Sequence, residues 1–219
     1  SILLGKSFNP MVGFMNSLII SAFSTGCAVY FSTMTAYGLV VYDWRLRRPF
    51  FSFIMAVMMI PAQVTMIGFY QMVYRIHMTN QLSMLILPAI ASPAMVFFMR
   101  QYMLPSLSLE IVQAARIDGA GEFYIFNKIA MPIMKPAFAA MAILNGMNAW
   151  NNYLWPLLVI RSSEKYTLTL GLNTLINPYG DNYSLLVVGS FFSIIPIFIL
   201  FVCFQQYFIE GMTAGAVKE

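Results

Sequence analysis

The chain has 219 residues, of which 60% are hydrophobic and only 9% charged, with a net charge of +4 and a mean hydropathy of +0.74. A water-soluble domain of this size needs far more charge to cover its surface, so the composition excludes one and predicts an all-α integral membrane protein. The positive charge forms no basic cluster with interleaved aromatics of the kind that follows a phosphate backbone, which leaves membrane lipid and excludes nucleic acid as a partner.

Near the start, Gly5-Lys6-Ser7 mimics the end of a phosphate-binding loop, but the upstream glycine and the strand–loop–helix context are absent. A helical span needs about 20 mostly apolar residues. Five stretches qualify, at about 11–41, 49–74, 82–104, 136–160 and 184–208. Cys27 and Cys203 both fall inside these runs and read as small buried hydrophobes rather than a disulfide framework. His77 sits in the short connection after the second span with no metal-ligand partner nearby in sequence, as a solvated surface residue would. No catalytic serine triad or carboxylate pair can be assembled.

Charge fixes the expected orientation. Arg45, Arg47 and Arg48 crowd the first connection, while Arg100, Arg116, Lys128 and Lys135 belong to the third and Lys218 to the tail. The alternate side holds Lys6, Arg75, Arg161 and Lys165. The positive-inside rule therefore places the first connection, residues 105–135 and the tail 209–219 in the cytoplasm, and residues 161–183 outside. Five spans then leave Ser1 outside, so a sixth span is expected upstream. The spans carry no ionisable group at their centres, whereas proton-coupled carriers need one, so energy is expected from elsewhere.

The connection 105–135 is the longest on the cytoplasmic side. Leu107, Ile111, Val112 and Ala115 fall at helical spacing. Asp118-Gly119 breaks that helix, and a second begins near Gly121-Glu122 with the carboxylate at its positive end. Phe123, Phe126, Ile129 and Ala130 form the expected apolar stripe of the second helix. Small residues at the bend, Ala114, Ala115, Gly119, Ala120 and Gly121, leave room for a foreign surface to approach.

The same residues carry a resemblance. Gln113-Ala114-Ala115, three residues, Gly119, nine residues, Ile129, one residue, Met131-Pro132 has the spacing of the Glu-Ala-Ala…Gly…Ile-x-Leu-Pro signature of ABC-importer permeases. Gln113 stands where the signature has Glu, which removes a charge that could pair with a basic group on an ATPase; Met131 stands where it has Leu, a volume-conserving change. Met59-Ile60-Pro61-Ala62-Gln63, Tyr166-Thr167-Leu168-Thr169-Leu170-Gly171 and the tail 211–218 also resemble the MalG-type permeases of the carbohydrate uptake family. The resemblance covers the chain from Met11 onward as a single transmembrane domain of the bacterial inner membrane.

What the resemblance implies is a subunit that imports a di- or oligosaccharide and does no covalent chemistry of its own. It would pair with a MalF-like second permease above two ABC ATPase subunits, and an extracytoplasmic sugar-binding protein would deliver the substrate. The chain would bind no cofactor, ATP and Mg being held by the ATPases. Gln113, Ala114, Ala115, Asp118, Gly119, Ala120, Met131 and Pro132 would form the ATPase-coupling loop. The outer-loop residues Asn177, Pro178, Tyr179, Gly180 and Asp181 would reach into the binding protein, and Thr213, Ala214 and Gly215 of the tail would contact the ATPases; an ordinary connector and a frayed terminus are the plainer readings of those two segments. Asn145, Asn148, Asn152 and Trp155 recur at three, four and three residues on one expected helix face, which fits a sugar path and equally fits interhelical packing. Two other readings are a permease for another polar solute such as glycerol phosphate and a secondary carrier without an ATPase, which would show inverted repeats or an intramembrane charge.

Overall fold

The computed structural model describes residues 8–174 and 183–213, and every regular element among them is helical. In chain order these are α1 (Pro10–Val41), α2 (Arg47–Met58), α3 (Ala62–Arg75), α4 (Ser83–Ile90), α5 (Pro93–Ser106), α6 (Leu109–Ile117), α7 (Glu122–Ile125), a π-helical turn (Phe126–Ala130), α8 (Met131–Ile133), α9 (Lys135–Trp150), α10 (Leu154–Val159), a 3-10 turn (Ser163–Lys165), α11 (Leu168–Thr174) and α12 (Tyr183–Thr213).

Among the described residues, α1 alone is long and apolar enough to cross a membrane unaided; three interrupted pairs, α2 with α3, α4 with α5, and Glu122–Ile133 with α9, meet the same test only when taken together. The sequence expects spans at 49–74, 82–104 and 136–160, kinked by Pro61, Pro88, Pro93 and Pro156, and the chain interrupts all three. The interruptions have local causes. Pro61 closes the first break and Pro93 follows the second, and each lacks the N–H that would continue a helix. Residues 151–153 break the third, between α9 and α10. There the Asn151 side-chain amide donates to the Met147 carbonyl (3.0 Å), and Asn152 Oδ1 accepts from the Trp155 N–H (3.3 Å), capping α10. Asparagine amides compete with the backbone ladder in this way, and Pro156 adds a missing donor one turn later.

The chain divides into two compact units interleaved in sequence. One comprises Ser1–Thr25, Ala62–Ala89 and Ile143–Cys203. Its main core gathers Ile20, Val73, Met84, Leu85, Trp155, Val159, Ile160 and Leu170, and a smaller cluster joins Trp150, Leu168 and Leu172 to Phe8, Phe14 and Ile197. The first part of α1 is tied to the stretch before α11 by polar contacts that its serines and asparagine make possible. Asn16 Nδ2 donates to the carbonyls of Glu164 (3.1 Å) and Tyr166 (3.0 Å), and the Leu168 N–H donates to Ser17 Oγ (2.8 Å). A second tie forms at Asn80, which holds φ +62°. Its Oδ1 accepts from the N–H groups of Arg161 and Ser162 and from the Ser162 hydroxyl, at 3.1, 3.2 and 3.0 Å, while Lys165 Nζ donates to its carbonyl at 2.7 Å.

The other unit comprises Gly26–Pro61, Ile90–Ala142 and Phe204–Glu219. Here α2 packs on α5, and one cluster gathers Phe51 and Ile54 of α2, Val96 of α5 and Leu39 of α1. Arg100, which the sequence assigns to the third connection, lies inside α5 with its guanidinium 4.0 Å from the Phe51 ring centroid. Cation–π contact with an aromatic face favours an arginine at such a position.

Outside these cores many large apolar side chains are exposed, among them Val187, Phe191, Ile194 and Phe198 along one side of α12. In a membrane protein such faces meet lipid tails or another subunit rather than water.

Candidate functional site

The connection between α5 and α9 folds into an elbow whose geometry follows from a few residues. Ser108 caps α6, its hydroxyl accepting from the Glu110 N–H at 3.2 Å. At the far end the Gly119 N–H returns to the Arg116 carbonyl (3.0 Å) and the Ala120 N–H to the Ala115 carbonyl (3.0 Å). These two bonds with a left-handed residue between them define a Schellman stop. Gly119 occupies that left-handed position with φ +82°, where glycine avoids the steric penalty a Cβ brings. Gly121 then caps α7, and its carbonyl accepts from the Ile125 N–H at 3.0 Å.

Past α7 the chain widens into a π-turn in which the Met131 N–H reaches the Phe126 carbonyl. Pro132 explains it: the ring has no N–H for the Lys128 carbonyl and crowds it, and a single wide turn relieves both defects. The helix bends by 77° before α9. Ile125, Phe126 and Ala130 are buried and Ile129 half-buried, whereas Phe123, expected in the apolar stripe, is 71% exposed. Likewise Val112 is buried on α6 while Ile111 is exposed, and Leu107 belongs to the end of α5.

The predicted coupling residues gather on this elbow. Gln113, Ala114, Asp118 and Gly119 are exposed, and Ala115 and Ala120 are partly so. Ala115, Asp118, Gly119, Ala120 and Gly121 line an open notch of about 520 Å³ closed at its sides by Tyr124 and Ile129. Met131 and Pro132 lie in α8 beyond the π-turn, away from the notch lining. Ile117, 86% exposed, and Phe123 stand out beside it.

Sequence reasoning missed the group that holds the elbow in place. Glu122, expected only to favour the start of α7, folds its side chain back across the bend. Arg116 Nε donates to its Oε1 at 2.6 Å. Its other oxygen, Oε2, accepts from the hydroxyls of Tyr42 (2.6 Å), the residue that follows α1, and Tyr37 (3.3 Å), in its last turns. The Arg116 guanidinium also lies 5.5 Å from the centre of the Tyr42 ring. Arg116, then Tyr42, hold the Glu122 carboxyl below the usual carboxylate range, and the same pairing raises Arg116. Burial, then the neighbouring carboxylate, raises the Tyr42 hydroxyl, which keeps it a donor. Beneath this cluster, Tyr30 and Tyr37 set their rings edge-on to Phe126 at 5.6 and 5.4 Å, and the Tyr30 hydroxyl donates to Asn127 Oδ1 at 3.4 Å. A partly exposed ion pair alone is worth about 0–1 kcal/mol. Hydroxyls on the second oxygen and the aromatic bed are what make this a network rather than a surface contact.

The four residues predicted to share a face of one span are divided by the break at 151–153. Asn145 and Asn148 lie on α9, Asn152 in the break and Trp155 on α10. Asn145 Nδ2 donates to Thr25 Oγ1 at 3.3 Å, and Asn148 is exposed. Trp155 is 7% exposed, 5.1 Å from the Phe69 ring, with its indole N–H on the Met84 carbonyl at 2.8 Å. Its ring is therefore a packing element and presents no free face to a solute. Asn177, Pro178, Tyr179, Gly180 and Asp181 lie outside the described residues, as do Ala214 and Gly215; Thr213 closes α12. Among the described residues no group of three or more metal-ligating side chains converges.

Residues 28–214 match the family described as binding-protein-dependent transport system inner membrane component. The arabinooligosaccharides transport system permease protein AraQ of Bacillus subtilis (strain 168) is 47% identical over 205 residues, covering 94% of this chain and 73% of that protein. The lactose transport system permease protein LacG of Rhizobium radiobacter is 32% identical over 209 residues, 95% of this chain and 76% of that protein. A crystal structure of a bacterial ABC transporter involved in the import of the acidic polysaccharide alginate superposes with a TM-score of 0.80 at 27% identity, over 94% of this chain and 77% of that one.

Proposed function

The chain belongs to the family of binding-protein-dependent transport system inner membrane components, and from that membership we propose that it is the permease subunit of an ABC importer carrying a di- or oligosaccharide into the cell. Arabino-oligosaccharides are the first substrates to test, given the 47% identity to AraQ. The subunit itself is non-catalytic and binds no cofactor; ATP and Mg act on the two partner ATPases. A second, MalF-like permease completes the path, and an extracytoplasmic binding protein delivers the sugar. The C-terminus is cytoplasmic, as the arginine-rich connections require.

The observation that carries the reading is the elbow: a bend fixed by Gly119, with a notch lined by small residues and exposed apolar side chains at its edge. Gln113 to Gly121 seat on the ATPase, and closure of the ATPase pair displaces the elbow as a body and turns the attached helices. The test is a cysteine at Ala115 in the assembled complex. It is expected to cross-link to an ATPase subunit, and proteoliposomes holding the complex are expected to accumulate labelled arabino-oligosaccharide only with ATP and binding protein. A cross-link to lipid alone refutes the docking. Failure to accumulate any di- or oligosaccharide refutes the substrate class.

A further inference from the structure

We propose that Glu122, Tyr37 of α1 and Tyr42 just past its end form a clamp that delivers elbow movement directly into α1, so that the three are positioning residues for transport. The proposal rests on the elbow being driven by the ATPases. Along the backbone the elbow is joined to α5 on one side and α9 on the other, with α1 far away in sequence. The two tyrosine–carboxylate bonds close gaps of 80 and 85 residues. They meet the one helix, among the described residues, that is long and apolar enough to cross the membrane unbroken.

The chemistry suits a device that transmits force without giving way. Both carboxylate oxygens are engaged from different directions, by a guanidinium within the elbow and by the hydroxyls of Tyr37 and Tyr42. Charge-assisted hydrogen bonds are shorter and stronger than neutral ones. Phe126 fills the angle between Tyr30 and Tyr37, and the Tyr30–Asn127 bond adds a second attachment on the same side of α1. Glu122 is thereby turned toward the end of α1.

The test uses the whole complex in proteoliposomes, with sugar moved per ATP hydrolysed as the readout. Tyr37→Phe with Tyr42→Phe removes two hydroxyls and leaves the elbow's own surface unchanged. The ATPases are expected to stay bound and to hydrolyse ATP, while sugar moved per ATP falls about tenfold, the equivalent of one lost hydrogen bond to a charged group. Glu122→Gln should give a similar fall, and combining it with the tyrosine pair should add little further, because all three changes break one network. A purely structural role would reduce the amount of assembled complex and leave the ratio constant, and that result overturns the proposal. So does an unchanged ratio, or a loss that is additive. Tyr42→Phe alone, at a partly exposed ring, gives a milder variant with the same expected direction should the double change reduce assembly. If the Ala115 cysteine fails to cross-link to the ATPase in the otherwise native complex, the driven-elbow reading itself falls, a result separate from the behaviour of the tyrosine variants.

Discussion

At Gly119 the backbone stands at φ +82° with open space where a Cβ would point. The obstacle to a side chain there is conformational rather than steric crowding from neighbours. Gly119→Ala is expected to cost about 1–2 kcal/mol, read as a lower unfolding midpoint of the purified complex, with Gly119→Asn milder because asparagine tolerates the left-handed region. Glu122 makes a second residue-scale prediction. Its carboxyl is held below the ordinary range by Arg116 and Tyr42, so the folded state binds its proton less readily than the unfolded chain. The contribution is full above the ordinary carboxylate pKa and is lost as pH falls through the lowered value. Sugar moved per ATP should therefore stay flat from neutral to mildly acidic pH as far as this group is concerned. A titration in that window that disappears in Glu122→Gln would contradict the assignment.

Helices in this chain are shaped by where their ladders fail. Two asparagines and a proline end α9 and start α10, and a proline widens the turn before α8. The consequence for the amide face is direct: Asn145 and Asn148 stay together on α9, and Trp155 becomes part of a core. Asn148→Ala is expected to lower uptake while leaving ATPase association intact; unchanged uptake would assign the amide to helix packing. Trp155→Phe strands the Met84 carbonyl that the indole N–H satisfies, an expected cost of about 1–3 kcal/mol, visible as reduced thermal stability with the range of accepted sugars unaltered. A shift in sugar preference would return Trp155 to the path.

For the molecule as a whole, composition and charge were enough to read membrane residence, helical class and the site of the elbow. The spacing from Gln113 to Pro132 marked the elbow, and Asp118-Gly119 marked its bend, because a left-handed stop has a local residue signature. Apolar content could not show which spans are continuous: hydropathy averages over a break of two or three residues that a proline or an asparagine amide creates. Of the stripe expected in the second helix, Phe126, Ile129 and Ala130 turn inward and Phe123 alone does not. Local chemistry, then, was written in the chain itself: class, bend and family. The partners of Glu122 were decided only by tertiary structure. Tyr37 and Tyr42 lie 85 and 80 residues away from it, and no periodicity spans that distance. Only the packing of α1 against the elbow brings hydroxyl and carboxylate within bonding range.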